Sequence, residues 1–179
     1  MTAKLYKGHA FVADPWVTVG EGEAVSPAGH SILSLAQWEA ERTWLLGTQA
    51  PIGVRIEPGA SVAAVIADLD RFSVIALAFP KFADGRAFSN AVILREQRGF
   101  RGELRAVGDV LFDQLQMMAR CGFDAFEISD AATLRALERG DRPGVALFYQ
   151  PGYGAEAPVD TRPWARRPVK GAPAPSQDR

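Results

Sequence analysis

The chain is poor in the side chains that most metal and redox chemistry uses. Cysteine occurs once in 179 residues, at Cys121. A disulfide within the chain is excluded, as are paired-cysteine zinc sites and cysteine-ligated iron–sulfur clusters unless another chain contributes ligands. One thiol also argues against dithiol redox chemistry. The only two histidines, His9 and His30, fall near the N-terminus, so a histidine metal cluster or a Ser-His-Asp triad elsewhere is not expected. Neither a P-loop nor a GxGxxG fingerprint is present, and no flavin or nicotinamide signature is legible. Charge of neither sign prevails: 20 Lys plus Arg against 21 Asp plus Glu leave a net −1. That balance argues against nucleic acid as a partner and against an acidic solvating tail. No apolar run approaches the roughly 18 residues of a membrane-spanning helix, and MTAKLYKGHAF lacks the pattern of a signal peptide. The cytoplasm is therefore the expected compartment, with no membrane partner.

What is present reads as one soluble α/β unit. Hydrophobic residues make up 47% of the chain, enough for one well-buried core and too few residues in all for two full domains. The pattern predicts a single domain over residues 1–150, with an N-terminal β/α extension at 1–50 and a βα core at 51–150. Residues 11–13 and 16–19 read as short strands around Asp14-Pro15; Pro15 has no amide donor and suits an edge or a turn. Ser34 is placed to cap a helix over 35–46, with Trp38 and Trp44 as packing residues and Gly47 as its stop.

From residue 53 the rhythm becomes regular. GVRIE at 53–57 is a strand, and Val62, Val65, Ile66 and Leu69 follow at helical spacing behind Ser61. SVIALAF at 73–79 is apolar throughout, as in a strand covered on both faces. A helix over 87–98 with a solvated end from Arg95 to Arg98, a strand at 103–107, a helix over 110–121, a strand at 123–128 and a helix capped by Asp130 complete four βα units. Strands joined through helices run parallel, so the expected fold is a parallel sheet, open or half-barrel-like. Without eight units the pattern favours an open or partly curled sheet over a complete barrel. A last strand is expected at 144–150. Residues 151–179 carry six prolines and a cluster of Arg162, Arg166, Arg167 and Lys170 around Trp164, the composition of a flexible tail or a docking segment.

Ligands of open parallel sheets bind beyond the carboxyl ends of the strands. Those ends offer Glu57, the run Pro80-Lys81-Phe82-Ala83-Asp84-Gly85-Arg86, then Gly108-Asp109 and Ser129-Asp130. Lys81 and Arg86 flank Asp84 where a loop enters a helix, a setting that suits an anion, and Ser89 adds a hydroxyl. Asp84 and Asp109 are the candidate acid/base pair in that reading. The alternative is structural: Asp84, Asp109 and Asp130 each stand where a helix wants an N-cap, and Lys81 and Arg86 can pair with Asp84 on the surface. Cys121 extends the stripe of Leu111, Leu115 and Met118, which points to a buried, inert thiol.

Four segments together carry a family resemblance: FPKFADGR at 79–86, GELRAVGDV at 102–110, Asp113-Gln114, and RCGFDAFE at 120–127. Over about residues 50–150 the chain resembles small bacterial proteins that carry a domain of unknown function and are described as oxidoreductases of sulfite reduction. The matching residues are Lys81, Asp84, Gly85, Arg86, Arg105, Gly108, Asp109, Gln114, Cys121 and Gly122. The resemblance implies a link to assimilatory sulfite reductase, the enzyme that makes sulfide for cysteine, with that enzyme or its electron donor as partner. It brings no mechanism and no cofactor with it. An oxidoreductase requires an electron carrier, and none is legible in the residues. Two readings follow. In one the chain is an accessory protein that supports sulfite reductase through a complex or by delivering electrons or substrate. In the other it binds or transforms an oxyanion or carboxylate at Lys81 and Arg86.

Overall fold

A computed structural model of the chain describes residues 3–26, 29–81 and 84–144. The strand expected at 144–150 (beyond Gly144) and the tail at 151–179 lie outside the described residues. The chain opens with a hairpin of β1 (Lys4–Lys7) and β2 (Ala10–Val12). Its two-residue turn places Gly8 and His9 at positive φ, 59° and 66°, the twist that matches antiparallel strands. Next come β3 (Val17–Thr18), β4 (Ser31–Ser34) and α1 (Leu35–Gly47). The βα units follow: β5 (Ile52–Ile56), α2 (Ala63–Ile66), β6 (Phe72–Phe79), α3 (Arg86–Val92), β7 (Glu103–Gly108), α4 (Leu115–Arg120), β8 (Ala125–Ile128) and α5 (Ala131–Glu138).

The eight strands among the described residues form one sheet in the order β2-β1-β8-β7-β6-β5-β4-β3. β3 to β8 pair parallel to their neighbours, and the β1–β2 hairpin is added antiparallel beside β8. From β4 to β8 each strand lies beside its predecessor, always advancing in the same direction. Right-handed crossovers with no reversal of order put every helix on one face, and the sheet curls with its helices outside. The N-terminal strands measure the curl. β2 and β3 lie at opposite edges of the sheet, yet only residues 13–16 join them. A flat sheet of this order would separate its edge strands by about 34 Å, whereas the link reaches at most about 18 Å. The sheet is therefore a curled half-barrel, with the link as a strap across its concave face.

The register assigns the faces. Ile75, Leu77 and Phe79 of β6 point to the helices and join Leu33, Val54, Ile56, Leu104 and Ile128 in the main core. Val74, Ala76 and Ala78 face the concave side, where they form a smaller cluster with Ile32 and Val107, and Trp16 of the strap packs on it. Trp38 of α1 is fully buried, edge-on to Phe72 at 4.6 Å between ring centres. Ser34 caps α1 as its position predicts: its hydroxyl accepts from the Gln37 amide, and the Gln37 side chain accepts from the Ser34 amide. Asp130 caps α5 through the Thr133 amide at 2.7 Å.

Several expectations are corrected. The helix expected over 87–98 is α3 followed by a wider turn at Ile93–Gln97, where the Arg98 amide donates five residues back to Ile93. Arg95 in that turn is buried, not solvated: it donates to the carbonyls of Phe100, Gly102 and Gly122 and pairs with Asp124. Loop carbonyls without a ladder partner need a donor, and the fork of Arg95 supplies it. The helix expected over 110–121 shortens to α4 behind a tight turn at Phe112–Gln114, so Asp109 stands too far ahead of α4 to cap it. Trp44 is 47% exposed, because only one stripe of α1 meets the sheet and Trp38 and Leu45 occupy it.

Candidate functional site

The apolar run of β6 ends at Phe79, where Pro80 cannot donate to a ladder and the chain leaves the sheet. The Asp84 amide donates to the Lys81 carbonyl at 3.0 Å, a turn that sets the Asp84 side chain in front of α3. Its carboxylate accepts the Arg86 amide at 3.2 Å and grips the guanidinium through Nε at 2.9 Å and Nη2 at 2.5 Å. Pro80, Lys81, Asp84, Gly85 and Arg86 line an open depression at this end of the sheet. Arg86 also reaches the β5–α2 turn: its Nη1 lies 2.9 Å from where a side chain on Gly59 would begin. The guanidinium beside Asp84 pulls that carboxyl from its ordinary 3.8 to about 2, and the carboxylate in turn raises the pKa of Arg86.

A depressed pKa in the folded state stabilises the fold above the unfolded pKa, and that contribution is lost as pH falls from about 4 through about 2. Carboxyl-detected NMR is expected to show Asp84 titrating near 2 in the native protein. Arg86→Ala should return its midpoint towards 3.8, and a midpoint unmoved by that substitution would show that the pair is not formed in solution.

A second charged constellation lies on the concave face. Arg105 of β7 is 1% exposed. Its Nη1 and Nη2 donate to the two oxygens of Asp14, at 2.6 and 3.0 Å, and its Nε donates to Glu103 at 2.8 Å. Glu103 also accepts from Lys7 at 2.7 Å. Burial alone would lower the pKa of this guanidinium; the bonds from Asp14 and Glu103 outweigh it and hold the pKa above its ordinary value. The Asp14 carboxylate accepts the Trp16 amide at 3.1 Å as well, so one side chain shapes the strap and pins it to β7.

A model of bacterial proteins of unknown function, DUF934, matches residues 53–159, more than half of the chain. The chain is a DUF934 protein. No curated protein and no solved structure matches it. The DUF934 match takes in β5 to α5, with Lys81, Asp84, Arg86, Asp109 and Arg105. β1 to β4 and the strap, with Asp14, lie outside it although they complete the same sheet.

Of the site residues expected from the sequence, this DUF934 protein brings Lys81, Asp84 and Arg86 together. Ser89 lines a different recess with Phe88, Val92, Ile93, Gln97 and Cys121. Asp109 follows the end of β7, where its amide donates to the Phe79 carbonyl at 2.7 Å; it is not among the described residues lining the Lys81 depression. Cys121 is half-buried and not enclosed, and burial pushes its thiol above the ordinary value, so the sulfur stays protonated at neutral pH. Among the described residues no group of three or more His, Cys, Asp or Glu could hold a metal, and no helix is long and apolar enough to cross a membrane. From the sequence, Arg105 stands out only as a family residue, and Asp14 only as part of the Asp14-Pro15 turn. One signal for Arg105 was there: Glu103 and Arg105 alternate with apolar residues in a strand next to the all-apolar β6, which marks one face of β7 as polar.

Proposed function

We propose that this DUF934 protein is an accessory protein of assimilatory sulfite reduction, which binds sulfite reductase or its electron donor at the carboxyl end of its half-barrel. The sulfite link comes from the resemblance of the FPKFADGR and GELRAVGDV segments. The docking reading is carried by one observation: the charged loop at the end of β6 is an open surface depression whose arginine already grips Asp84, with that carboxyl held at about 2. A carboxylate so acidic is a poor general base near neutral pH, because efficient proton transfer wants a pKa near the working pH. An exposed charged surface suits recognition of another protein. The electron carrier that the oxidoreductase description requires then resides in the partner.

Growth of a strain lacking the protein tests this reading, with sulfate, sulfite or sulfide as sole sulfur source. Growth is expected on sulfide and not on sulfate or sulfite, with complementation by the native gene but not by a Lys81→Ala/Arg86→Ala variant that folds normally. Equal growth on all three sources refutes the sulfite role. A second reading is favoured by the shared depression of Lys81 and Arg86: an oxyanion or carboxylate site there, held by those two cations without Ser89 or Asp109. Saturable sulfite binding by calorimetry, lost in Lys81→Ala and in Arg86→Ala, would replace the first reading with the second.

A further inference from the structure

Across the concave face the strand register aligns Lys7, Ala125, Arg105, Ala76, Arg55 and Ser34 in one row. Three of the six are cations, separated by two alanines: Lys7 pairs with Glu103, Arg55 with Glu57, and Arg105 with Glu103 and with Asp14 of the strap. Arg105 at the middle of the row is buried and offers a guanidinium fork, and the group seated on that fork is delivered by the strap: both Asp14 oxygens, at 2.6 and 3.0 Å. That is the two-oxygen geometry in which a guanidinium takes a carboxylate. Beside it lies an apolar floor of Ile32, Val74, Ala76, Ala78 and Val107, on which the strap lays the indole of Trp16.

We propose that the concave face is a binding site for a small carboxylate with a flat apolar body, and that the strap occupies this site in the resting protein, Asp14 standing in for the ligand carboxylate and Trp16 for its ring. The site differs from the Lys81 depression, and the inference does not rest on the sulfite reading. The strap is built to be displaced. It ends in β3, two exposed residues long, and begins from β2, whose two outer residues are exposed. Short edge strands with few buried contacts open at low cost. An intramolecular carboxylate lowers the apparent affinity of a free one by the fraction of molecules it closes, so removing it unmasks the site.

The test is calorimetric titration of the full chain with sodium formate, which supplies the carboxylate alone, and sodium benzoate, which adds the ring, with sodium chloride as ionic control. Asp14→Ala is expected to bind benzoate at least tenfold more tightly than the native protein does, and more tightly than it binds formate. Arg105→Lys in the Asp14→Ala background, which keeps the charge and loses the fork, should abolish the gain. Saturating benzoate should also speed exchange of the Trp16 amide in the native protein, because its acceptor is the Asp14 carboxylate. If Asp14→Ala does not fold, Asp14→Asn keeps the shape of the strap without its charge, and the same gain is expected. An affinity unchanged by loss of the Asp14 charge, or a gain that survives Arg105→Lys, overturns the proposal.

Discussion

Arg105→Met is expected to cost about 3 kcal/mol of folding stability, the lower end of the range for breaking a buried ion pair by removing one partner. The lower end applies because Asp14 keeps 30% of its side chain exposed and regains water when its partner goes, and because Glu103 retains Lys7. Methionine replaces most of the volume but none of the three donated bonds, and the strap loses its pin to β7. For a chain of this length the melting temperature should fall by roughly 6–12 °C, read by scanning calorimetry near neutral pH. An Asp14→Asn/Arg105→Met double variant should recover part of the loss, since no carboxylate is then left without a counter-charge at the strap. A melting temperature within one or two degrees (about the error expected of a neutral surface change) would show that the strap is held by Trp16 alone.

Gly108→Ala is expected to be as damaging, for a backbone reason. Gly108 ends β7 at φ 98°, a region that a residue with a side chain occupies at a cost of about 1–3 kcal/mol. Space is the second obstacle: a Cβ there would collide with the Phe79 carbonyl, the same oxygen that accepts the Asp109 amide at 2.7 Å. Backbone cannot step aside as a flexible side chain can, so the ends of β6 and β7 must part and that hydrogen bond, worth about 1 kcal/mol, weakens. The combined loss should reach about 3 kcal/mol, visible as a lower urea midpoint at an unchanged slope. Because Pro80 and Lys81 follow Phe79 directly, the variant should also move the amide NMR signals of the Lys81–Arg86 depression. An unshifted urea midpoint would mean that β6 and β7 part here without strain.

The loss of stability would come from the middle of β7 in Arg105→Met and from its carboxyl end in Gly108→Ala, and the sequence discloses these two positions unequally. A glycine closing a strand is a legible turn signal. An arginine within a strand shows its polar face by alternation but not its partner, since Asp14 lies 91 residues away. The candidate site was legible to the same degree. Lys81, Asp84 and Arg86 stand within six residues of one another, and a local turn brings them together. Ser89 follows three residues later, yet it lines another recess, because it stands nearly one helical turn further along α3, about 4.5 Å from the loop end of the helix.

By itself the sequence determined the alternation of strands and helices from residue 53 onward, the parallel pairing it implies, the caps at Ser34 and Asp130, and the covered central strand β6. Each rests on apolar periodicity or on a capping residue within a few positions, and such short-range preferences survive in the folded chain. Only the tertiary structure decided that the sheet is a half-barrel, that β1 and β2 close one edge while β3 and β4 close the other, and that Arg105 meets Asp14. Those choices depend on which strand pairs with which and on how far residues 13–16 can reach. Pairing partners and the reach of a connection are properties of the whole sheet, and no window of neighbouring residues contains them.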